Sequence, residues 1–189
     1  MADTSWKRHE RETARYFGTR RRLRGHDFSV SDVEVLVDIN EWLGQTDDFK
    51  PLLIVECKYS KNMGIVTDYK KLTLKSKLEN PMIQLENYII GELKDFKEFY
   101  SNFVNPQKNS SNNINDLRGL KLVQSHKKPP KYLDDYYVQA RDYSLDQETE
   151  QPILSMVCVT KARLKGRFFV INLGDIETYW KQYREKSTF

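Results

Sequence analysis

Hydrophobic and polar positions fall into clear periods along much of this chain. From Ser31 to Ile39, the residues Val33, Val35, Val37 and Ile39 alternate with mostly polar ones, which predicts a half-buried strand. Pro51-Leu52-Leu53-Ile54-Val55-Glu56-Cys57-Lys58 is instead a continuous apolar run closing on charge, and predicts a core strand. An N-terminal helix is expected over Trp6 to Phe17. Met82, Leu85, Ile89, Leu93, Phe96, Tyr100 and Phe103 recur at steps of three and four, which predicts one long amphipathic helix over about 80–103. Its stripe would serve the core or a dimer face.

Asn105 to Asn115 is rich in Asn and Ser and reads as a loop, and Lys127-Lys128-Pro129-Pro130 breaks the chain before a helix over about Tyr132 to Leu145. Ile153 to Val159 and Arg167 to Leu173 read as two strands, followed by a last helix capped by Asp175 and bearing Ile176, Tyr179, Trp180 and Tyr183. The order is helix, two or three strands, helices, two strands, helix. That order predicts an α/β sandwich of helices around a central mixed sheet, in one domain of 189 residues without internal repeats.

The charge at the end of the second strand is the first chemical signal. Carboxylate-x-lysine occurs five times, at Asp48/Lys50, Glu56/Lys58, Asp68/Lys70, Glu92/Lys94 and Asp95/Lys97, but only Glu56/Lys58 closes an apolar run of strand length. Strand alternation puts Ile54, Glu56 and Lys58 on one face and Val55 and Cys57 on the other. Burying ionisable groups there is costly unless a partner or metal compensates them. If the first strand pairs antiparallel with this one through Asn40 to Lys50, Asp32 at its entrance meets Glu56. Two converging carboxylates repel unless a divalent cation lies between them, and oxygen ligands suit Mg2+ or Mn2+. Glu10, in the first helix, offers a third carboxylate.

Glu10-Arg11-Glu12 on a helix, Asp32 before a strand and Glu56-Cys57-Lys58 at the end of the next resemble the PD-(D/E)xK nuclease superfamily. Within it, the chain is similar to archaeal Holliday junction resolvases and related phage or viral nucleases. The resemblance covers about the first sixty residues well and the last fifty loosely. It implies a restriction-endonuclease-like fold and a metal-dependent DNA endonuclease acting on branched DNA, with Glu10, Asp32 and Glu56 around Mg2+ or Mn2+ and Lys58 positioning or activating the attacking water. Ser31 stands where the family has proline, and Glu12 is the rival of Glu10. A glutamine-bearing helix of many relatives is matched by Gln139-Ala140-Arg141-Asp142-Tyr143, with Gln84-Leu85-Glu86-Asn87-Tyr88 as the rival. On that reading, residues from about 62 to 130 are a helical and loop insertion. Resolvases act as symmetric dimers, so the resemblance also implies a homodimer.

Charge agrees with a polyanionic partner. The net charge is +4, and Lys7 to Arg24 holds Lys7, Arg8, Arg11, Arg15, Arg20, Arg21, Arg22 and Arg24 against two acids. Such a block is expected to grip a DNA backbone with little sequence reading. Cys57 and Cys158 lie in apolar runs and predict reduced core residues, not a disulfide framework. His9, His26 and His126 lack the spacing of a zinc site. No Gly-rich phosphate loop, nucleophile elbow, membrane-length apolar run or signal-peptide core is present, so the expectation is a soluble, intracellular protein that engages no membrane. Two other functions compete: a PD-(D/E)xK enzyme acting on duplex ends or flaps, and a non-catalytic DNA-binding module.

Overall fold

A computed structural model describes residues 5–19, 21–23, 33–61, 63–79, 81–107, 122–145 and 150–187. Among the described residues eight strands form one mixed sheet: β1 (Arg21–Leu23), β2 (Val33–Asp38), β3 (Leu52–Ser60), β4 (Met82–Leu85), β5 (Tyr88–Glu92), β6 (Leu122–Ser125), β7 (Ile153–Lys161) and β8 (Phe168–Asn172). Their order is β1-β2-β3-β7-β8-β5-β4-β6. β3 runs parallel to β7 and β4 to β6; the other pairs are antiparallel. The helices are α1 (Ser5–Tyr16), α2 (Ile39–Trp42), α3 (Gly64–Ser76), α4 (Phe96–Phe99), α5 (Lys131–Leu145) and α6 (Leu173–Ser187).

Both faces of the sheet are covered, and the alternation of strand side chains sorts the core into two layers. On one face Val35, Val37, Leu53, Val55, Leu154, Met156 and Cys158 pack with Ala14 and Phe17 from α1 and its end, with Phe96 and Phe99 from α4, and with Ile176, Tyr179, Trp180 and Tyr183 from α6. On the other face Val157, Val159, Phe168, Val170 and Ile90 pack with Ile65, Val66 and Tyr69 of α3 and Leu133 and Tyr137 of α5. The expected α/β arrangement, a mixed sheet between helices, is therefore present.

The antiparallel β2–β3 pairing is present too, with Glu34 opposite Glu56 and Val35 opposite Val55. Between the strands the Asp38 side chain accepts from the Glu41 N–H at 3.1 Å, capping α2 and turning the chain back. At the far end, Asn172 takes the role expected of Asp175: its side-chain oxygen accepts from the Gly174 N–H at 2.8 Å. Asp175 lies inside the first turn of α6 and pairs with Arg141.

The long helix expected over 80–103 does not form. Residues 82–92 make the hairpin β4–β5, closed by Glu86 at φ 48° and Asn87, and only 93–104 are helical, as a 3-10 turn, α4 and a π turn in succession. Ile83, Leu85, Tyr88 and Ile90 face one layer while Met82 and Ile89 face the other. A strand buried on both faces shows no period of two, and its apolar residues can fall at helical steps by coincidence. The stripe expected to offer a dimer face is spent on the core, as are Tyr179, Trp180 and Tyr183 of α6. The Asn- and Ser-rich stretch lies outside the described residues from 108 onward.

One glycine is demanded by a close approach. A Cβ at Gly91 would lie 2.7 Å from Cε1 and 2.8 Å from Cζ of Phe169, whose ring is stacked on Phe99 at 5.2 Å between centroids. Phe169 cannot yield without opening that layer. Gly91→Ala should destabilise the fold by about 1 to 3 kcal/mol, read as a lower denaturant midpoint. A wild-type midpoint would show that the ring has room to move.

Candidate active site at the ends of β3 and β7

Glu56 and Lys58 end the apolar run of β3 and point to the face covered by α5, as the strand period requires. Glu56 is only 3% exposed, and the Lys58 ammonium donates to its Oε1 at 2.8 Å. From α5, Gln139 Oε1 accepts a second hydrogen bond from the same ammonium, and the Tyr136 ring lies 5.2 Å from it. Tyr136 and Gln139 are one turn apart, so they reach the same point. The lysine is thus oriented by a carboxylate, an amide oxygen and an aromatic face.

Three anchors hold α5 in place. Tyr132 OH accepts from the Ile65 N–H at 3.0 Å, joining the start of α5 to α3. Tyr137 OH donates to the Val170 carbonyl at 2.6 Å and accepts from the Asn172 N–H at 2.7 Å, joining its middle to β8. Arg141 meets both oxygens of Asp175 at 3.0 and 3.2 Å, joining its last turns to α6. Burial pushes the Tyr137 hydroxyl well above the usual tyrosine range, so it stays protonated and keeps both bonds.

Gln84, the rival glutamine, is remote from Lys58. It sits on β4, four strands from β3 in the sheet, roughly 19 Å at the usual strand spacing, and its amide donates to the Glu86 carbonyl at 3.1 Å. Tyr136 was not anticipated from sequence. It lies one turn before Gln139 on the same helix, which is the signal that could have found it.

Glu10 is buried at 5% exposure, but on α1, whose core side chains pack on the opposite face of the sheet from Lys58. Cys57, next to Glu56 along β3, projects toward the α1 side. Burial, then Cys158, and after these Glu56 and Glu10 push the Cys57 thiol well above its usual range. Burial likewise lifts Cys158 to about 12, so both sulfurs are protonated core atoms. Glu12 points elsewhere: it pairs with Arg8 at 3.0 Å and with Arg167. Asp32 lies outside the described residues, as do Arg20, Arg24 and His26. Arg21 and Arg22 lie on β1, whereas Lys7, Arg8 and Arg11 are exposed on α1.

Glu56 is a hard oxygen donor of the kind that Mg2+ takes, although one of its oxygens already receives Lys58. Among the described residues, no three His, Cys, Asp or Glu side chains are grouped to hold a metal. Nor does any helix among them have the length and apolarity to cross a membrane. A cavity of about 650 Å³ lies at the other end of β3, lined by Asp47, Phe49, Gln151 and Tyr183, and takes no part in this site. Comparison with protein-family models, with curated proteins and with solved structures found no match to this chain.

His9 ties α1 to β7. Its Nε2–H donates to the Cys158 carbonyl at 3.1 Å, which leaves Nδ1 bare and buried without a hydrogen-bond partner. Burial lowers its pKa from 6.5 to about 4, with Arg167 acting in the same direction. The folded state refuses a proton that the unfolded chain accepts, so stability falls as pH drops from 6.5 toward 4, by up to roughly 3 kcal/mol. In His9→Gln that slope should shrink relative to the wild type. Parallel curves of unfolding free energy against pH would show that His9 titrates normally.

Proposed function

We propose that this chain is a metal-dependent DNA nuclease of the PD-(D/E)xK type, with a restriction-endonuclease-like fold and a preference for branched DNA. The observation that carries this reading is the buried Glu56 holding Lys58 at the end of a core strand, with Gln139 completing the contact from α5. A carboxylate and a lysine two residues apart, oriented so tightly, match what phosphodiester hydrolysis asks of a protein. Glu56 would hold Mg2+ or Mn2+ together with Asp32 and Glu10. The metal, when bound, polarises the phosphate and makes its water a stronger nucleophile.

The chain's own residues supply the rest. Lys58 places a cation beside the attacking water and the charge that builds on the phosphate. Gln139 and Tyr136 restrict the ammonium to one position, and the anchors of α5 fix them in turn. The dry layer formed by Tyr137, Val157 and Val159 excludes bulk water from below.

A second reading, a DNA-binding module without catalysis, is favoured by one observation: Lys58 already engages one of the two Glu56 oxygens. A cleavage panel of four-way junction, flap, duplex and single strand separates the two. We expect cutting only with Mg2+ or Mn2+, lost by at least roughly a hundredfold in Glu56→Gln and Lys58→Met, and reduced roughly tenfold in Gln139→Leu. Cutting in EDTA, or undiminished cutting by Glu56→Gln, overturns the nuclease reading.

Paired cuts across a junction need two sites related by a two-fold axis, so the branched-DNA preference goes with a homodimer. Light scattering with junction DNA bound should give two protomers. A monomer mass would move the proposal to an enzyme that cuts once, at ends or flaps.

A further inference from the structure

Positive charge gathers where three distant segments meet around α3. Residues 58–79 contribute six lysines against Asp68 and Glu79, and residues 127–131 and 161–165 contribute three Lys/Arg each against no acid. Hydrogen bonds show that these segments share one rim. Lys161 donates to Thr67 Oγ1 at 2.6 Å, Lys70 to the Lys165 carbonyl at 3.2 Å, and Lys127 to Asp68 at 3.0 Å. The rim carries ten net positive charges in a chain whose total is +4, so the remaining sequence is net acidic.

Such segregation is costly without a partner. At physiological salt the screening length is about 8 Å, so neighbouring lysines on one rim still repel each other. Lys71, Lys75, Lys128, Arg163 and Lys165 are all exposed. The face of α1 differs: there Glu12 takes Arg8 and Arg167. The rim also adjoins the candidate site. Ser60 pairs with Lys161 in the β3–β7 ladder, and Lys58 is two residues back along β3, roughly 7 Å.

We propose that the lysine rim around α3 is the track on which a DNA sugar–phosphate backbone runs to Glu56 and Lys58. The proposal rests on the nuclease reading for its direction, and it moves the main phosphate contacts from the N-terminal arginines to α3. Contacts of this kind are electrostatic and read no sequence.

The test is fluorescence anisotropy of a labelled DNA duplex in EDTA across a KCl series. Lys71→Gln, Lys75→Gln and Lys165→Gln combined should weaken binding at least tenfold at low salt. Each lost phosphate contact should flatten the slope of log affinity against log salt by roughly 0.9. Lys128→Gln with Arg163→Gln, on separate segments, should act in the same direction and guards against a folding defect in the triple variant. The rim variant is expected to lose more than Arg8→Gln, Arg11→Gln and Arg15→Gln combined. Wild-type affinity and slope in both rim variants overturn the proposal, as does the reverse ranking. So does lysine-dependent binding of phosphatidylserine vesicles in place of DNA. Because the assay is metal-free, a wild type that binds DNA but never cuts it counts against the nuclease reading alone.

Discussion

A parallel ladder of nine residue pairs between β3 and β7 lies inside the sheet, and a parallel pair needs cover on both faces. That requirement orders the molecule. Val55 and Cys158 demand α1 and α6 on one side, while Val157 and Val159 demand α3 and α5 on the other. With both faces closed, polar chemistry on these strands can reach solvent only at their ends. Glu56 and Lys58 lie where β3 leaves the layer of α5, so the ionised pair is dry at the carboxylate and partly open at the ammonium.

The cost of that position is met locally. A buried carboxylate needs a close cation, and Lys58 supplies it at 2.8 Å. The lysine is held in turn by Gln139 and the face of Tyr136, so the position of α5 governs the geometry of the pair. That helix is fixed by two hydroxyls and a bidentate Arg141–Asp175 bridge, which reaches α6 on the far side of the sheet. A disturbance at α6 would therefore be felt at Lys58 through α5.

Charge follows the same division. The side that bears α3 and the ends of β3 and β7 collects lysines from three segments, while on α1 Glu12 pairs with Arg8 and with Arg167. A polyanion drawn to the rim would meet the Glu56–Lys58 pair at its edge, and the rim would offset the repulsion between phosphate and carboxylate.

Elements with a clean alternation or an unbroken apolar run bounded by breakers or charge were legible in the sequence by themselves. The period of two in Val33 to Ile39, the run ending at Lys58, and the Pro-bounded helix and strands after residue 130 each follow from local patterning, and the structure has them as β2, β3, α5, β7 and β8. So was the shared face of Glu56 and Lys58, which strand alternation alone requires. The hairpin β4–β5 was not legible, because burial on both faces erases the period and leaves apolar spacings that mimic a helix. Nor could local patterning alone put Gln139, which the resemblance preferred to Gln84, beside Lys58, dock α1 on the opposite layer of the sheet from α5, or gather the lysines of three segments around α3. Periodicity is a property of neighbours along the chain, whereas these four outcomes depend on strand order and helix docking, contacts between residues far apart in sequence that only the folded chain brings together.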